Sequence, residues 1–345
     1  MHSPRHRNEW KIDPAALTFT DKLGAGASAK VYKGLYQGKE VAIKILKHKF
    51  EGDGSDARAI RDFEHECEIM SKVSSPYILR FYGSCLEPQV CIVVDYCSRG
   101  SLYDVLQDET MDITWGRCFK WAHEMVLAIQ ALHNNDPPIF HRDLKTPNLL
   151  LDQDWSIKVC DFGASRVEKE DASTLGKLRG TYAYCAPEIY FKTKFTTKSD
   201  VYSIGIILWE FFVRCLTGKY QKPYSEFPQL TLGFAVIIKT AKSQLRPTVP
   251  DNMPTEIADL IRKCWHPVPE ERPECSEVLS ELNALEQLYE TTKKEEWNAL
   301  RTIPENAAKP KERRSYLSRT ESMRQPLMRE HLNELAGFSN VRVHD

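Results

Sequence analysis

His141-Arg142-Asp143-Leu144-Lys145-Thr146-Pro147-Asn148, followed shortly by Asp161-Phe162-Gly163, is the stretch on which the reading of the chain turns. It sets two acids, a lysine and an asparagine where phosphoryl transfer needs a base, a charge clamp and metal ligands. An exposed loop salt bridge between Asp143 and Lys145 is the plain alternative, and the motifs around them weigh against it.

Upstream, Val41-Ala42-Ile43-Lys44 reads as an apolar strand that carries a lysine. A buried ammonium needs a partner, and the helical pattern between Arg58 and Val73 offers Glu64, Glu66 and Glu68. Glu66 is the choice, because it lies one turn before Met70 on the face shared with Phe63 and Cys67. Earlier still, Gly24-Ala25-Gly26-Ala27-Ser28-Ala29-Lys30-Val31 lies between two strand patterns, where a glycine-rich hairpin lays backbone N–H groups over phosphates. The third glycine of a G-x-G-x-x-G pattern is Ala29, and a hairpin is the wrong context for a Rossmann turn. Alone, this loop reads equally well as an ordinary turn.

Around these motifs the texture changes once. Short strand patterns at Leu17–Leu23, Ala29–Tyr36, Glu40–Leu46, Ile78–Tyr82 and Val90–Asp95 predict a small antiparallel sheet, interrupted by the one helix. Beyond Gly100 the patterns are mainly helical: Leu102–Gln107, Trp115–Asn134, and a helix after Pro254 with Thr255 as candidate cap. Strand pieces are expected at Leu149–Leu151 and Ile157–Val159. A stripe of Val278, Leu282, Leu285 and Tyr289 runs on towards Trp297 before Pro304 stops it. From Lys309 to Arg324 six basic residues face two glutamates, a flexible basic tail by composition, with a short helix from Pro326 to Leu335.

Composition excludes rather than selects. A chain of 345 residues with 42% hydrophobic content supplies a sizeable core, and a formal net charge of -1 argues against a general nucleic-acid or membrane-surface binder. The ten cysteines contain no C-x-x-C pair and read as reduced thiols. Met1 to Lys11 lacks the apolar core of a signal peptide, and Val201–Leu216, broken by Glu210 and Arg214, is too short to span a bilayer and reads as a buried core helix. A cytoplasmic protein is expected.

In order and content, these pieces together with Ala186-Pro187-Glu188, Ser199-Asp200-Val201-Tyr202-Ser203-Ile204-Gly205 and Glu271-Arg272-Pro273 resemble the eukaryotic protein kinase family from about Leu17 to Leu288. The resemblance implies an α+β, two-lobed fold: an N-terminal extension at 1–16, a small antiparallel-sheet lobe with one regulatory helix and the hinge at 17–97, a larger mainly helical lobe at 98–290, and a partly flexible C-terminal extension at 291–345. It implies ATP and Mg²⁺ as cofactors, with Mn²⁺ as a substitute, and protein substrates with serine or threonine acceptors. Asp143 would accept or orient the substrate hydroxyl, Lys145 would neutralise the transferring group, and Asn148 and Asp161 would hold the metal. Lys44, paired with Glu66, would hold the α- and β-phosphates. Leu23, Gly24, Ala25, Gly26, Ala27, Ser28, Ala29, Val31 and Ala42 would line the nucleotide, with Val94 as gatekeeper and the backbone of Asp95 to Cys97 as the adenine edge. His141, Phe162, Met70 and Phe81 look like the stacked spine of the active arrangement, and Glu188 is expected to pair with Arg272.

Lys145 in the loop points, by the same resemblance, to serine/threonine specificity, and Thr181 looks like the threonine that contacts the catalytic loop. Of the hydroxyls at Ser165, Ser173, Thr174 and Thr181, Ser173 and Thr174 are the candidate regulatory phosphosites, with Arg142 as the phosphate's partner and an upstream kinase or trans-autophosphorylation as its source. Trp10, Phe63-x-x-Glu66, Gly100-Ser101-Leu102-Tyr103 and Cys264-Trp265-x-Pro267 are similar to the tyrosine-kinase-like group, Raf-like and mixed-lineage kinases among them. The Raf-like basic dimer face is replaced by Ser71-Lys72-Val73-Ser74-Ser75, so the oligomeric state stays open. The competing readings are a pseudokinase scaffold, a dual-specificity kinase and a small-molecule kinase of related fold.

Overall fold

In residues 39–46 the side chains alternate: Val41, Ile43 and Ile45 are buried, while Ala42 and Lys44 lie on the opposite, partly open face. That period of two makes a strand, and the computed structural model gives it two antiparallel partners within a five-stranded sheet. The structure describes residues 10–25, 29–47, 54–167, 182–191, 194–230 and 233–304. They fall into two units, one holding residues up to 72 together with 79–98, the other holding 73–78 and the chain from 99 onward.

The first unit is a five-stranded antiparallel sheet of order β1-β2-β3-β5-β4. Its strands are β1 (Leu17–Ala25), β2 (Ala29–Tyr36), β3 (Lys39–Leu46), β4 (Phe81–Cys85) and β5 (Cys91–Asp95), with helix α1 (Gly54–Lys72) between β3 and β4. One face buries Leu17, Phe19, Tyr32, Val41, Ile43, Cys91 and Val93 in a single cluster with Ile12. Residues 10–12 join β4: the Ser84 amide donates to Trp10 O at 2.7 Å and the Ile12 amide to Ser84 O at 2.9 Å. Gly83 makes this approach feasible, since a Cβ there would sit 2.4 Å from Trp10 O.

The apolar run Ile78–Tyr82, expected as one strand, is divided between the units. Ile78 is buried and bridges Val159 in the second unit, and β4 starts only at Phe81. Periodicity reports burial and not the partner, so the break was invisible.

The second unit is mainly helical: α2 (Leu102–Gln107), α3 (Trp115–His133), α4 (Thr197–Thr217), α5 (Gly233–Ser243), α6 (Thr255–Cys264), α7 (Cys275–Leu288) and α8 (Lys294–Ala299). Two small antiparallel pairs serve the catalytic stretch, β6 (Ile139–Phe140) with β9 (Arg166–Val167) and β7 (Leu149–Leu151) with β8 (Ile157–Val159). Helix α4 is buried on every side from Ser199 to Leu216, which makes it the core around which the others pack. Its Arg214 is satisfied by the carbonyls of Leu106, Asp108 and Met111. Among the described residues no helix is long and apolar enough to cross a membrane. Thr255, expected as a cap, is the first helical residue of α6, and Pro254 holds the cap position at φ -48, ψ 127.

The stripe beyond α7 continues through a π turn at Tyr289–Lys293 into α8. Trp297 is 1% exposed, its carbonyl accepts from Trp115 Nε1 at 3.0 Å, and its ring packs on Trp115, Phe119 and Tyr289. Arg301 pairs with Asp112, and the Thr302 amide donates to Leu216 O at 2.7 Å. Gly218, at φ 69, ends α4 where a Cβ would meet Thr302 O at 2.4 Å.

Candidate active site

In the first unit, strand register groups the candidate residues. Directly opposite residues of an antiparallel sheet share a face, and the pairs Gly24↔Val31, Val31↔Lys44, Lys44↔Ile92 and Ala42↔Val94 therefore put Gly24, Val31, Ala42, Lys44 and Val94 on the face away from the core. Lys44 Nζ donates to Glu66 Oε1 at 2.6 Å, and Glu66 is 8% exposed. Of its rivals, Glu68 pairs with Lys72 at 2.7 Å. Gly24 stands in open space: a Cβ there would meet nothing within 4 Å, so packing does not require the glycine, and its bareness suits a close phosphate. Ala29, in place of a third glycine, is buried in β2 opposite Leu46. Leu23 and Ala25 end β1 in exposed positions, whereas Gly26, Ala27 and Ser28 lie outside the described residues. Val94 is 8% exposed, and Asp95 accepts from Tyr82 Oη at 2.8 Å. Burial and the neighbouring Asp95 push the Tyr82 hydroxyl up to about 12, so it stays a donor at physiological pH. Cys97 is half-buried, Met70 buried and Phe81 half-buried.

In the second unit the catalytic stretch hangs on Asp200 of α4. Its carboxylate, fully buried, accepts the backbone amides of His141 and Arg142, each at 2.9 Å, and His133 Nε2 lies 3.0 Å away. Burial alone would raise this carboxyl, but the hydrogen bonds from His133 and the Arg142 amide hold it below its ordinary value. The anchored backbone then takes a left-handed turn at Arg142, φ 68, which a bulky residue adopts only when its surroundings impose it.

Lys145 Nζ lies 2.7 Å from Asp143 Oδ2. Asn148 Nδ2 donates to Asp143 O at 2.8 Å and to Asp143 Oδ2 at 3.2 Å, so the acid, the lysine and the asparagine form one constellation. The Cys160 amide donates to Asn148 O at 3.0 Å and brings Asp161, exposed and left-handed at φ 67, next to Asn148. Because the Asn148 amide hydrogens are committed to Asp143, its carbonyl oxygen is the end left for a cation. Together with the Asp161 carboxylate it supplies hard oxygen donors, a set that fits a magnesium ion completing its shell from phosphate and water.

Phe162 is fully buried with its ring 5.4 Å from that of His141, whose Nε2 lies 3.1 Å from Cys160 O. Ser165 is likewise buried and donates to His141 O at 3.1 Å, so its hydroxyl is structural rather than open to modification. Ser173, Thr174 and Thr181 lie outside the described residues. Glu188 is gripped by both arms of Arg272 at 2.9 and 2.8 Å and by Ser199 Oγ at 2.7 Å.

Sequence reasoning gave no role to His133 or Asp200 and missed a buried network on α4. Glu210, 1% exposed, accepts from Tyr220 Oη at 2.8 Å and from Thr146 Oγ1 at 3.2 Å, and Thr146 Oγ1 meets Tyr184 Oη at 3.2 Å. The one signal for it was an acid interrupting an otherwise apolar helix.

A strand lysine paired with a helix glutamate, and an acid–lysine–asparagine constellation on a loop, are features that phosphotransfer chemistry can use, and comparison with known proteins identifies the family. A sequence model of the protein tyrosine and serine/threonine kinase family matches residues 17–282, and the chain belongs to that family. It is similar to stress-activated protein kinase alpha of Dictyostelium discoideum, 48% identical over 308 residues, covering 89% of this chain and 48% of that protein. A probable serine/threonine-protein kinase of the same organism is 44% identical over 298 residues, 86% of this chain and 30% of the relative. A probable tyrosine-protein kinase, also from Dictyostelium discoideum, is 34% identical over 301 residues, 81% of this chain and 82% of the relative. The chain spans about half the length of the first of these relatives and less than a third of the second.

Proposed function

We propose that the chain transfers the γ-phosphoryl group of ATP to serine or threonine hydroxyls of protein substrates, as part of intracellular signalling in the cytoplasm. The observation that carries this reading is the 2.7 Å contact of Lys145 with Asp143, with Asn148 on the same carboxylate. Asp143 is held to take the proton of, or orient, the incoming hydroxyl, and Lys145 to offset charge on the transferring group. Lys44, steadied by Glu66, would bind the nucleotide phosphates. Val31, Ala42 and Val94 would cover the adenine, and the backbone of Asp95 to Cys97 would form its hydrogen-bonding edge. Asn148 and Asp161 would hold Mg²⁺, or Mn²⁺ in its place. When bound, that ion supplies neutralisation and alignment of the phosphate oxygens.

A pseudokinase lacks one or more of these charges, and this chain keeps all of them. Dual specificity is the second reading, favoured by the similarity to a probable tyrosine-protein kinase. Incubation of the purified chain with labelled ATP, Mg²⁺ and casein, followed by phosphoamino-acid analysis, separates them. Phosphoserine and phosphothreonine alone support the first reading, phosphotyrosine beside them the second. Mapping of the phosphates on active chain tests Ser173 and Thr174 as the regulatory positions.

A further inference from the structure

Helix α4 brings a second carboxylate, beyond Asp200, into its buried length where it meets the catalytic loop. Glu210 gathers hydroxyls from separate segments: Thr146 between Lys145 and Asn148 and Tyr220 just after α4 reach it directly, and Tyr184, in the turn before Ala186-Pro187-Glu188, reaches it through Thr146. No lysine, arginine or histidine among the described residues forms an ion pair with it. Tyr103 on α2 packs edge-on against Tyr220, at 5.7 Å between ring centroids, and closes the outer side. Thr146 is itself fully buried.

We propose that Glu210 is a positioning residue: through Thr146 and Tyr184 it ties the catalytic loop to the stretch entering Ala186-Pro187-Glu188, and its charge state sets how tightly the loop is tied. The inference rests on the protein kinase reading of the same site. As a carboxylate, Glu210 accepts from Tyr220 and Thr146, and Thr146 in turn accepts from Tyr184. As an acid it becomes a donor, and one of those hydroxyls must turn elsewhere. Thr146 and Tyr184, 3.2 Å apart with either able to donate, are the pair free to exchange. Protonation therefore loosens the turn that carries Lys145 and Asn148, and a small displacement there is expensive in rate. Burial raises the carboxyl to about 7 against the lowering pull of the three hydroxyl donors, which puts the exchange in the physiological range.

The test uses the full chain with ATP, Mg²⁺ and casein across about pH 6 to about pH 8, on wild type, Glu210→Gln and Tyr220→Phe. Wild-type kcat is expected to fall on the acid side. Glu210→Gln should lose that inflection, with kcat about tenfold lower and KM for ATP unchanged. Tyr220→Phe removes one donor to the charged form, so its inflection should move up by about one pH unit. Hydrogen exchange of the peptide spanning His141 to Asn148, expressed as protection relative to the intrinsic base-catalysed rate at each pH, should show weaker protection at acid pH in wild type and the same protection at both ends of the range in Glu210→Gln. An unmoved inflection in both variants, or protection that responds to pH equally in wild type and Glu210→Gln, overturns the proposal. Absence of phosphotransfer in the wild type would overturn the kinase reading instead, and the exchange measurement would still decide on the tie. If Glu210→Gln does not fold, Tyr220→Phe decides through both readouts.

Discussion

Arg272 forks onto Glu188 with both N–H arms, at 2.9 and 2.8 Å, and the guanidinium is completely buried. Its Nε donates to His266 O and its Nη1 also to Lys198 O, so four hydrogen bonds hold the buried charge. Removing one member leaves the other charge buried and alone. Arg272→Ala is expected to lower unfolding stability by about 3–5 kcal/mol, read as a shift of the urea midpoint. Arg272→Lys should recover only part of it, because an ammonium cannot reproduce the two-armed geometry.

Lys44 lies on the face of the sheet away from the core, with its side chain 28% exposed and Glu66 Oε1 at 2.6 Å. Lys44→Met is therefore expected to leave the thermal midpoint nearly unchanged while lowering kcat/KM by about 10²-fold or more. Glu66→Gln keeps a hydrogen bond to the ammonium and should lie between. Steady-state phosphorylation of casein with parallel thermal melts separates the two effects.

Glu210 makes stability depend on pH in a signed way. Its carboxyl is raised from 4.5 to about 7 in the folded chain, so the folded state holds the proton more tightly than the unfolded one. The associated stabilisation is fully present below about pH 4.5 and is lost as pH rises through about 7, a change on the order of 3 kcal/mol. Glu210→Gln should flatten that part of the stability profile. Denaturant titrations at a series of pH values check it, and a wild-type profile matching that of the variant would contradict the assignment.

Trp297 brings the end of the described chain into the core. Truncation to alanine removes a buried indole lying against Trp115, Phe119 and Tyr289, and is expected to lower stability by about 3–5 kcal/mol. A chain ending at Leu288 should melt lower still, since it also loses the Thr302 and Arg301 contacts with the rest of the unit.

Much of this was legible in the sequence, for physical reasons that differ from place to place. Strand β3 declared itself through alternation, and the choice of Glu66 followed from helical geometry, since it needs only the face on which Phe63 and Cys67 lie. The buried helix α4 was visible as an apolar run. What was hidden depends on contacts between distant segments. The split of Ile78 from Phe81 needs to know that Val159 is a partner, and Ser165 looks like an open hydroxyl until it is seen to donate a hydrogen bond to His141 O. The tie of Thr146 to Glu210 spans 64 positions and leaves no local pattern beyond one acid among apolar neighbours.

The most direct measurement is the rate of phosphate transfer from ATP and Mg²⁺ to casein by wild type and Asp143→Asn, with circular dichroism verifying that both are folded. The asparagine keeps the size of the side chain and an oxygen for Lys145 and Asn148 but cannot accept a proton. The account predicts a kcat lower by about 10²–10⁴-fold, with label on serine and threonine in the wild type. A folded Asp143→Asn chain that phosphorylates casein at the wild-type rate would contradict it.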